Sequence, residues 1–311
     1  MLTAKNSNNE DILSFSLSDE DLRTLSKEVF SCPCCKDRVK LKFGKKILKS
    51  GNKVIPHFSH FDSNCPNPKE TEEHKNTKIS IYNSLLKLNI PVHLEKTYSL
   101  NDFPRYKEAL KEKIKALNKD LRLNDTLFGQ LLERNIFRPD VICKYQNHKI
   151  AIEVQKSYLP EEDFLLRTYF YKIINFKVIW IIPRKLFLDK NKNPNKKDKD
   201  LHLNISDFHA ELKKYCFGNI YTWDFNDNKL YVYKIENMKG YKKTGEWCSG
   251  EGGGQYFSEG GEIEFTYKKY KKLKLIYESD NILKNFSEKK ILKNEKFNKI
   301  IDADLWLLNK K

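Results

Sequence analysis

No apolar run in this chain of 311 residues approaches the length needed to cross a bilayer, so a spanning segment is excluded and no membrane partner is expected. No signal-peptide pattern is present, and the seven cysteines form an odd, scattered set rather than a disulfide framework; both point to a reducing cytoplasm. No internal repeat is visible. The glycines at Gly252-Gly253-Gly254 and Gly260-Gly261 lack the Lys-Ser/Thr of a phosphate loop, which argues against a nucleotide site of that kind. Cys32-Pro33-Cys34-Cys35 is not followed by a thioredoxin-like pattern, which disfavours a redox pair.

What the chain has in excess is positive charge. It carries 58 Lys+Arg against 42 Asp+Glu, a formal +16 with pI near 9.3. Lysine and arginine that neutralise phosphates supply sequence-independent affinity for nucleic acid. High lysine content also serves solubility, so charge raises this expectation without deciding it. At 39% hydrophobic residues, the chain can bury a sizeable core.

Two short strings carry most of the chemistry. Phe137-Arg138-Pro139-Asp140-Val141-Ile142 and Ile150-Ala151-Ile152-Glu153-Val154-Gln155 each read as an apolar strand that delivers a carboxylate. The polar stretch Cys143–Lys149 between them is turn-prone, so a hairpin is predicted. Strand alternation puts Glu153 and Gln155 on one face, and a hairpin of this length brings Asp140 beside Glu153. Two such carboxylates form a hard-oxygen site for Mg²⁺ or Mn²⁺, which can activate water and stabilise charge on a phosphate.

The flanks support the hairpin. Upstream, Glu70-Thr71-Glu72-Glu73-His74 opens a predicted helix with Ile81, Leu85 and Leu88 on its apolar stripe,. Glu70, His74 and Lys78 fall four apart and stack on one face. Salt-bridge ladders of this kind are common, but a histidine in the middle is less expected. Ile90-Pro91-Val92-His93-Leu94-Glu95 is a strand that Pro91 confines to an edge or a strand start. Downstream, Pro160 followed by acids marks another helix, leading to the buried strand Lys177–Ile182.

The resulting order of helix, three strands, helix and strand resembles the core of the PD-(D/E)xK nuclease superfamily. Its strings resemble the competence protein CoiA family within it: Cys32 and Cys35; His57-Phe58-Ser59-His60; Glu70 to His74 with Lys78; Arg138-Pro139-Asp140-Val141; Ile152-Glu153-Val154-Gln155-Lys156-Ser157; Arg167 with Tyr171; and Ile179-Trp180. The match spans roughly residues 30 to 183 in order, and the ordered set is more specific than any piece. The resemblance implies a metal-dependent nuclease-like domain acting on DNA, with Arg138, Lys156 and Arg167 as candidate DNA contacts. One departure matters: Gln155 stands where the superfamily usually has lysine, and Gln carries no positive charge. Lys156 points to the opposite strand face, so Lys78 is the candidate for the missing cation, with Gln155 orienting water or a phosphate oxygen. Two functions follow. The first is a metal-dependent deoxyribonuclease in competence, recombination or defence against foreign DNA. The second is a degenerate DNA-binding accessory protein that assists a helicase, ATPase or recombinase.

The second block of chemistry lies upstream. Cys32, Cys35, His57, His60 and Cys65 fall within about thirty-five residues and read as a closed structural Zn²⁺ site. Cys32, Cys35 and Cys65 are joined by His57 or His60; spacing leaves the two open, with His60 favoured and Cys34 a bystander. A ribbon formed by Val39–Phe43 and Lys53–Phe58 has too little core to stand without metal.

The expected fold is therefore α+β. Residues 1–30 form an N-terminal segment with a short Ser- or Asp-capped helix. Residues 31–69 form the zinc ribbon. Residues 70–188 form the nuclease-like core, with a lysine-rich helical insertion at 103–134 whose Lys111 and Lys115 can line a DNA groove. Residues 189–311 hold a hairpin around Asn226-Asp227-Asn228, the Gly-rich loop and a helix over 276–311.

Overall fold

The computed structural model describes residues 1–44, 54–61, 65, 70–108, 136–156, 159–160, 163–164, 167–168, 170–171, 174–191, 202–203, 219–242, 245–248, 255–258, 261–265 and 271–283. Lys111, Lys115 and most of the 103–134 insertion lie outside them, as do residues 284–311 of the expected C-terminal helix.

The first sixty-odd residues build a five-stranded sheet. Its strands are β1 (Thr3–Lys5), β2 (Asp11–Leu13), β3 (Phe30–Ser31), β4 (Arg38–Lys42) and β5 (His57–His60), in the order β2-β1-β3-β4-β5. The Phe58 N–H donates to the Met1 carbonyl at 2.9 Å, linking the far edge back to the first strand. α1 (Asp19–Leu25) is capped by Ser18, the serine of the two expected alternatives, in a capping box with Asp21. Ala4, Leu22, Phe30, Val39, Leu41 and Phe58 fill the interior. No structural boundary falls at residue 31, where the sequence predicts one. A two-stranded ribbon offers only Val39, Leu41 and Phe58 to a core, and the leading thirty residues supply Ala4, Leu22 and Phe30 to complete it.

The larger sheet follows α2 (Glu72–Lys87). Its first members are β6 (Val92–Leu94), β9 (Val141–Tyr145), β10 (His148–Val154) and β11 (Phe176–Pro183), while β7 (Tyr98–Ser99) and β8 (Ile136–Phe137) pair apart from it. β6 occupies the edge, as Pro91 requires,. β6–β9 and β9–β10 are antiparallel, and β10–β11 is parallel. The turn from β9 to β10 is tighter than the polar stretch suggests. Both strands run up to Gln146-Asn147, whose φ values of 45° and 64° are those of a two-residue primed turn matched to strand twist.

The sheet continues past residue 188. After α3 (Arg184–Asn191) and β12 (His202–Leu203), β13 (Asn219–Asp224) lies parallel to β11 and forms the expected hairpin with β14 (Lys229–Lys242). β15 (Gly245–Cys248) pairs with β16 (Gln255–Ser258), β17 (Gly261–Phe265) pairs with β14, and β18 (Lys271–Ser279) also pairs with β14. Residues 276–279 are therefore strand rather than helix; Leu273, Leu275 and Tyr277 alternate with lysine and isoleucine in a pattern that suits a pleated surface,.

α2 is clamped onto this sheet. Ile81 and Leu85 are buried with Val141, Ile152, Trp180 and Trp223, whereas Leu88, past the last turn, is exposed rather than part of the stripe. The Trp223 indole N–H donates to Ser80 Oγ at 2.7 Å, and Ser80 Oγ donates to Asn228 Oδ1 at 2.7 Å. The hairpin expected in a separate C-terminal region thus helps fix the helix that carries His74 and Lys78.

Candidate functional site

Three elements deliver the acidic site. Thr71, not Glu70, caps α2: its side chain accepts from the His74 N–H. Glu70 precedes the helix, yet its Oε1 lies 3.7 Å from His74 Nδ1. Continuing the β9–β10 register one step past Val141↔Ile152 sets Asp140 opposite Glu153. The Val154 N–H donates to Asp140 Oδ2 at 2.8 Å, so β10 itself orients that carboxylate.

The residues that converge are Glu70, His74 and Asp140: one ligand atom from each lies within 4.8 Å of the others. His74 Nε2 is 3.2 Å from Asp140 Oδ2. Glu70 Oε2 is buried without a hydrogen-bond partner among the described residues. That oxygen faces the Met1 ammonium at 3.6 Å; two carboxylates beside an imidazole form a donor set that fits a divalent cation, and the mixed oxygen–nitrogen set suits Mn²⁺ as well as Mg²⁺.

Glu153 is not part of that cluster. Its side chain is 1% exposed. Its Oε1 accepts from the Tyr171 hydroxyl, and its Oε2 accepts from Arg167 at 3.2 Å. Burial pushes its carboxyl up to about 7; Asp140 adds to the shift and Arg167 opposes it.

Lys78 is enclosed, with no exposed surface. Its ammonium is 2.6 Å from Glu70 Oε1 and 3.4 Å from Asp140 Oδ1, and it also pairs with Glu95. Burial alone would lower its pKa, but the three carboxylates hold it well above the usual lysine range. Burial would likewise raise Glu70 and Asp140; for Glu70 the charge of Lys78 wins, and for Asp140 those of His74 and Lys78 win, holding both far below the ordinary carboxylate range. The ammonium therefore sits behind the carboxylates, where it positions them.

Glu95 is the residue that sequence reasoning missed as a site member. It follows β6 with φ 51°, and its N–H donates to the Asp140 carbonyl at 3.0 Å. Its Oε2 accepts from the N–H groups of Leu2 and Thr3 at 2.9 and 3.2 Å, so the first strand of the N-terminal sheet docks directly behind the site. The available signal was a carboxylate ending an apolar strand, as in the Asp140 and Glu153 strings. Arg138, expected at DNA, is turned inward instead: its side chain is 8% exposed and 3.8 Å from Glu95. Gln155 and Lys156 follow β10 half-buried, with the Gln155 N–H donating to the Ile181 carbonyl at 2.7 Å.

The second cluster gathers Cys32, Cys35, His60 and Cys65, again within 4.8 Å. Cys35 Sγ is 3.3 Å from His60 Nε2, and the Cys34 N–H donates to Cys32 Sγ at 3.4 Å. His57 lies on the opposite face of β5 from His60, with Nδ1 2.8 Å from the Ile55 carbonyl, so it stands outside the set. Three thiols and one imidazole are donors of the kind that hold zinc.

A family model described as the competence protein CoiA nuclease-like domain matches residues 130–240, and the CoiA N-terminal domain model matches residues 14–67. Together they span over half of the 311 residues, in the family's order. The chain belongs to the competence protein CoiA family. No curated protein and no solved structure matches it. The CoiA N-terminal match contains the whole Cys/His cluster, and the CoiA nuclease-like match contains Asp140, Glu153, Gln155, Arg167 and β13. Glu70, His74, Lys78 and Glu95 fall between the two CoiA matches, so their place in the site rests on the geometry above.

Proposed function

We propose that this chain is a divalent-metal-dependent nuclease that hydrolyses phosphodiester bonds in DNA, with a PD-(D/E)xK core and a structural zinc in the N-terminal module. The observation that carries the reading is the convergence of Glu70, His74 and Asp140, with one ligand atom of each within 4.8 Å of the others, in a chain whose family carries a nuclease-like domain. The order of α2, β6, β9, β10, the helical residues 163–164, 167–168 and 170–171, and β11 accords with that core.

Glu70, His74 and Asp140 would hold Mg²⁺ or Mn²⁺, which when bound supplies charge stabilisation for the phosphate and an acidified water. Lys78 offsets the mutual repulsion of Glu70, Glu95 and Asp140, keeping the ligand oxygens converged. Glu153 stands across the hairpin from Asp140, with Arg167 and Tyr171 fixing its carboxyl. The Arg167 Nε is buried and unbonded among the described residues, a spare donor for a phosphate oxygen. Gln155 shares the Glu153 face and orients water or phosphate through its amide. Cys32, Cys35, His60 and Cys65 would hold the zinc.

The enclosure of Lys78, together with Gln155 at the usual lysine position, favours a second reading, in which the chain binds DNA as an accessory to a helicase or recombinase without cutting it. Linear, circular and single-stranded DNA, each incubated with Mg²⁺ or Mn²⁺, separate the two. The nuclease reading expects cleavage by the parent and none by Asp140→Ala. Equal cutting by Asp140→Ala moves the active site elsewhere, and a parent that binds but never cuts establishes the accessory role.

A further inference from the structure

The outer face of β4 and β5 is a row of cations beside an exposed ring, and neither candidate metal cluster uses it. Val39 and Leu41 point into the N-terminal core, so Arg38, Lys40 and Lys42 all project outward and are exposed. On β5, Phe58 points inward and His60 joins the cysteine cluster, which leaves His57 and Ser59 on the outer face. Lys40 lies opposite Ser59 and Lys42 opposite His57. One further step of the same register sets Arg38 opposite Phe61.

Phe61 is 58% exposed, with the Lys40 ammonium 4.9 Å from its ring centroid. On the other side of β4, the pairing of Phe30 with Val39 continues to Val29 opposite Lys40, and Val29 is also exposed. Among the described residues, no carboxylate lies within ion-pair distance of Arg38, Lys40 or Lys42; the one acid bonded on this sheet, Asp11, is taken by Lys5 at 2.9 Å.

We infer that this face binds a single strand of DNA, with phosphates on Arg38, Lys40 and Lys42 and a base stacked on Phe61. Alternate strand residues repeat at about 6.7 Å, a spacing that suits successive phosphates of an extended strand and presents one cation to each. An aromatic ring among such cations accepts any base, because every base has a π-face. The sheet is also tied to the helix that carries His74: the Ile55 N–H, two residues before β5, donates to Glu72 Oε2 in the first turn of α2 at 3.0 Å. The inference deepens the nuclease reading, since it names a surface that would hold the substrate strand.

The test measures binding of a fluorescein-labelled oligothymidylate by the full zinc-loaded chain without Mg²⁺ or Mn²⁺, across a salt series. The combined Arg38→Gln, Lys40→Gln, Lys42→Gln variant is expected to bind at least about tenfold more weakly and to lower the log–log salt slope by about two, as three single-strand phosphate contacts would. Phe61→Ala should weaken binding about tenfold at an unchanged slope, and Phe61→Tyr should restore it. Zinc content and circular dichroism confirm folding, since all four residues are exposed. An unchanged slope in the triple variant overturns the inference, as does a parent that does not bind the oligonucleotide. Equally tight binding of a duplex through the same residues overturns the single-strand assignment. Cleavage assayed in parallel keeps the two readings apart: a parent that binds through this face yet cuts nothing loses the nuclease reading and keeps this one.

Discussion

The imidazole of His74 reaches across 66 residues of sequence to lie 3.2 Å from Asp140 Oδ2. That one relationship joins the helix before the hairpin to the hairpin itself and fixes where the ligand atoms meet. It also explains why Glu153 stands outside the cluster. Asp140 is oriented toward α2 by the Val154 N–H, whereas Glu153 is drawn the other way by Arg167 and Tyr171.

The buried ion cluster sets a stability expectation. Lys78→Met leaves Glu70, Glu95 and Asp140 without their shared cation, and removing one partner from a buried pair costs about 3–5 kcal/mol. Urea denaturation should show a midpoint well below the parent. Adding Glu95→Gln should recover part of the loss, because it removes one of the stranded charges. A Lys78→Met protein as stable as the parent would show that its charge holds nothing together.

Zinc removal should act at two places. Protein purified without chelator should hold about one zinc per chain, as closed four-ligand sites do. Cys35→Ser should lower that content and unfold the N-terminal sheet, leaving the larger sheet partly folded. Because Leu2 and Thr3 bond Glu95 from that sheet, any cleavage activity should fall as well. Elemental analysis that finds no zinc rules the site out, and zinc retained by a His60→Ala variant but lost from His57→Ala would reverse the ligand choice.

The sequence made β10 and β11 legible because each is a short apolar run, whereas the string Phe137–Ile142, read as one strand, divides between β8 and β9 with Asp140 between them. It made the Cys/His cluster legible because its members are close in sequence. Glu95 escaped because its role depends on two backbone N–H groups more than ninety residues away in sequence. Arg138 was misplaced because a local string cannot say that Met1 and Glu95, distant in sequence, enclose its side chain. The boundary at residue 31 rested on where the Cys/His block begins and that at 188 on the Lys/Asn-rich stretch after it, whereas β1 and β13 are placed by long-range pairing that neither encodes.

Acidity should be read in opposite directions by different carboxylates. Glu153 is held up near 7, above its unfolded value of about 4.3, so its contribution is full below that value and is lost as pH rises through about 7. Glu70, Glu95 and Asp140 are held below the ordinary range, so theirs is present above about pH 4 and lost as pH falls. Without added Mg²⁺ or Mn²⁺, the urea midpoint should therefore decline between about pH 5 and pH 8. Glu153→Gln should flatten that decline while leaving the acid limb in place; an unaltered alkaline limb would assign the titration to another group.

Gln155 provides the sharpest test of how the site handles charge. Strand alternation puts it on the face of Glu153, two residues on and just past the end of β10, at the position where the wider superfamily carries lysine. Lys78 is already committed to three carboxylates and has no exposed surface, so a new ammonium at 155 would add charge that the site lacks rather than duplicate it. Gln155→Lys should then keep the parent's cleavage rate or raise it by up to about tenfold, a gain of the size that one well-placed cation gives a developing phosphate charge. DNA affinity measured without metal should rise only slightly, which separates a rate effect from general attraction. Complete loss of cleavage with intact DNA binding would mean that the amide makes a contact no cation can replace, and that the glutamine is the working residue rather than a substitute for lysine.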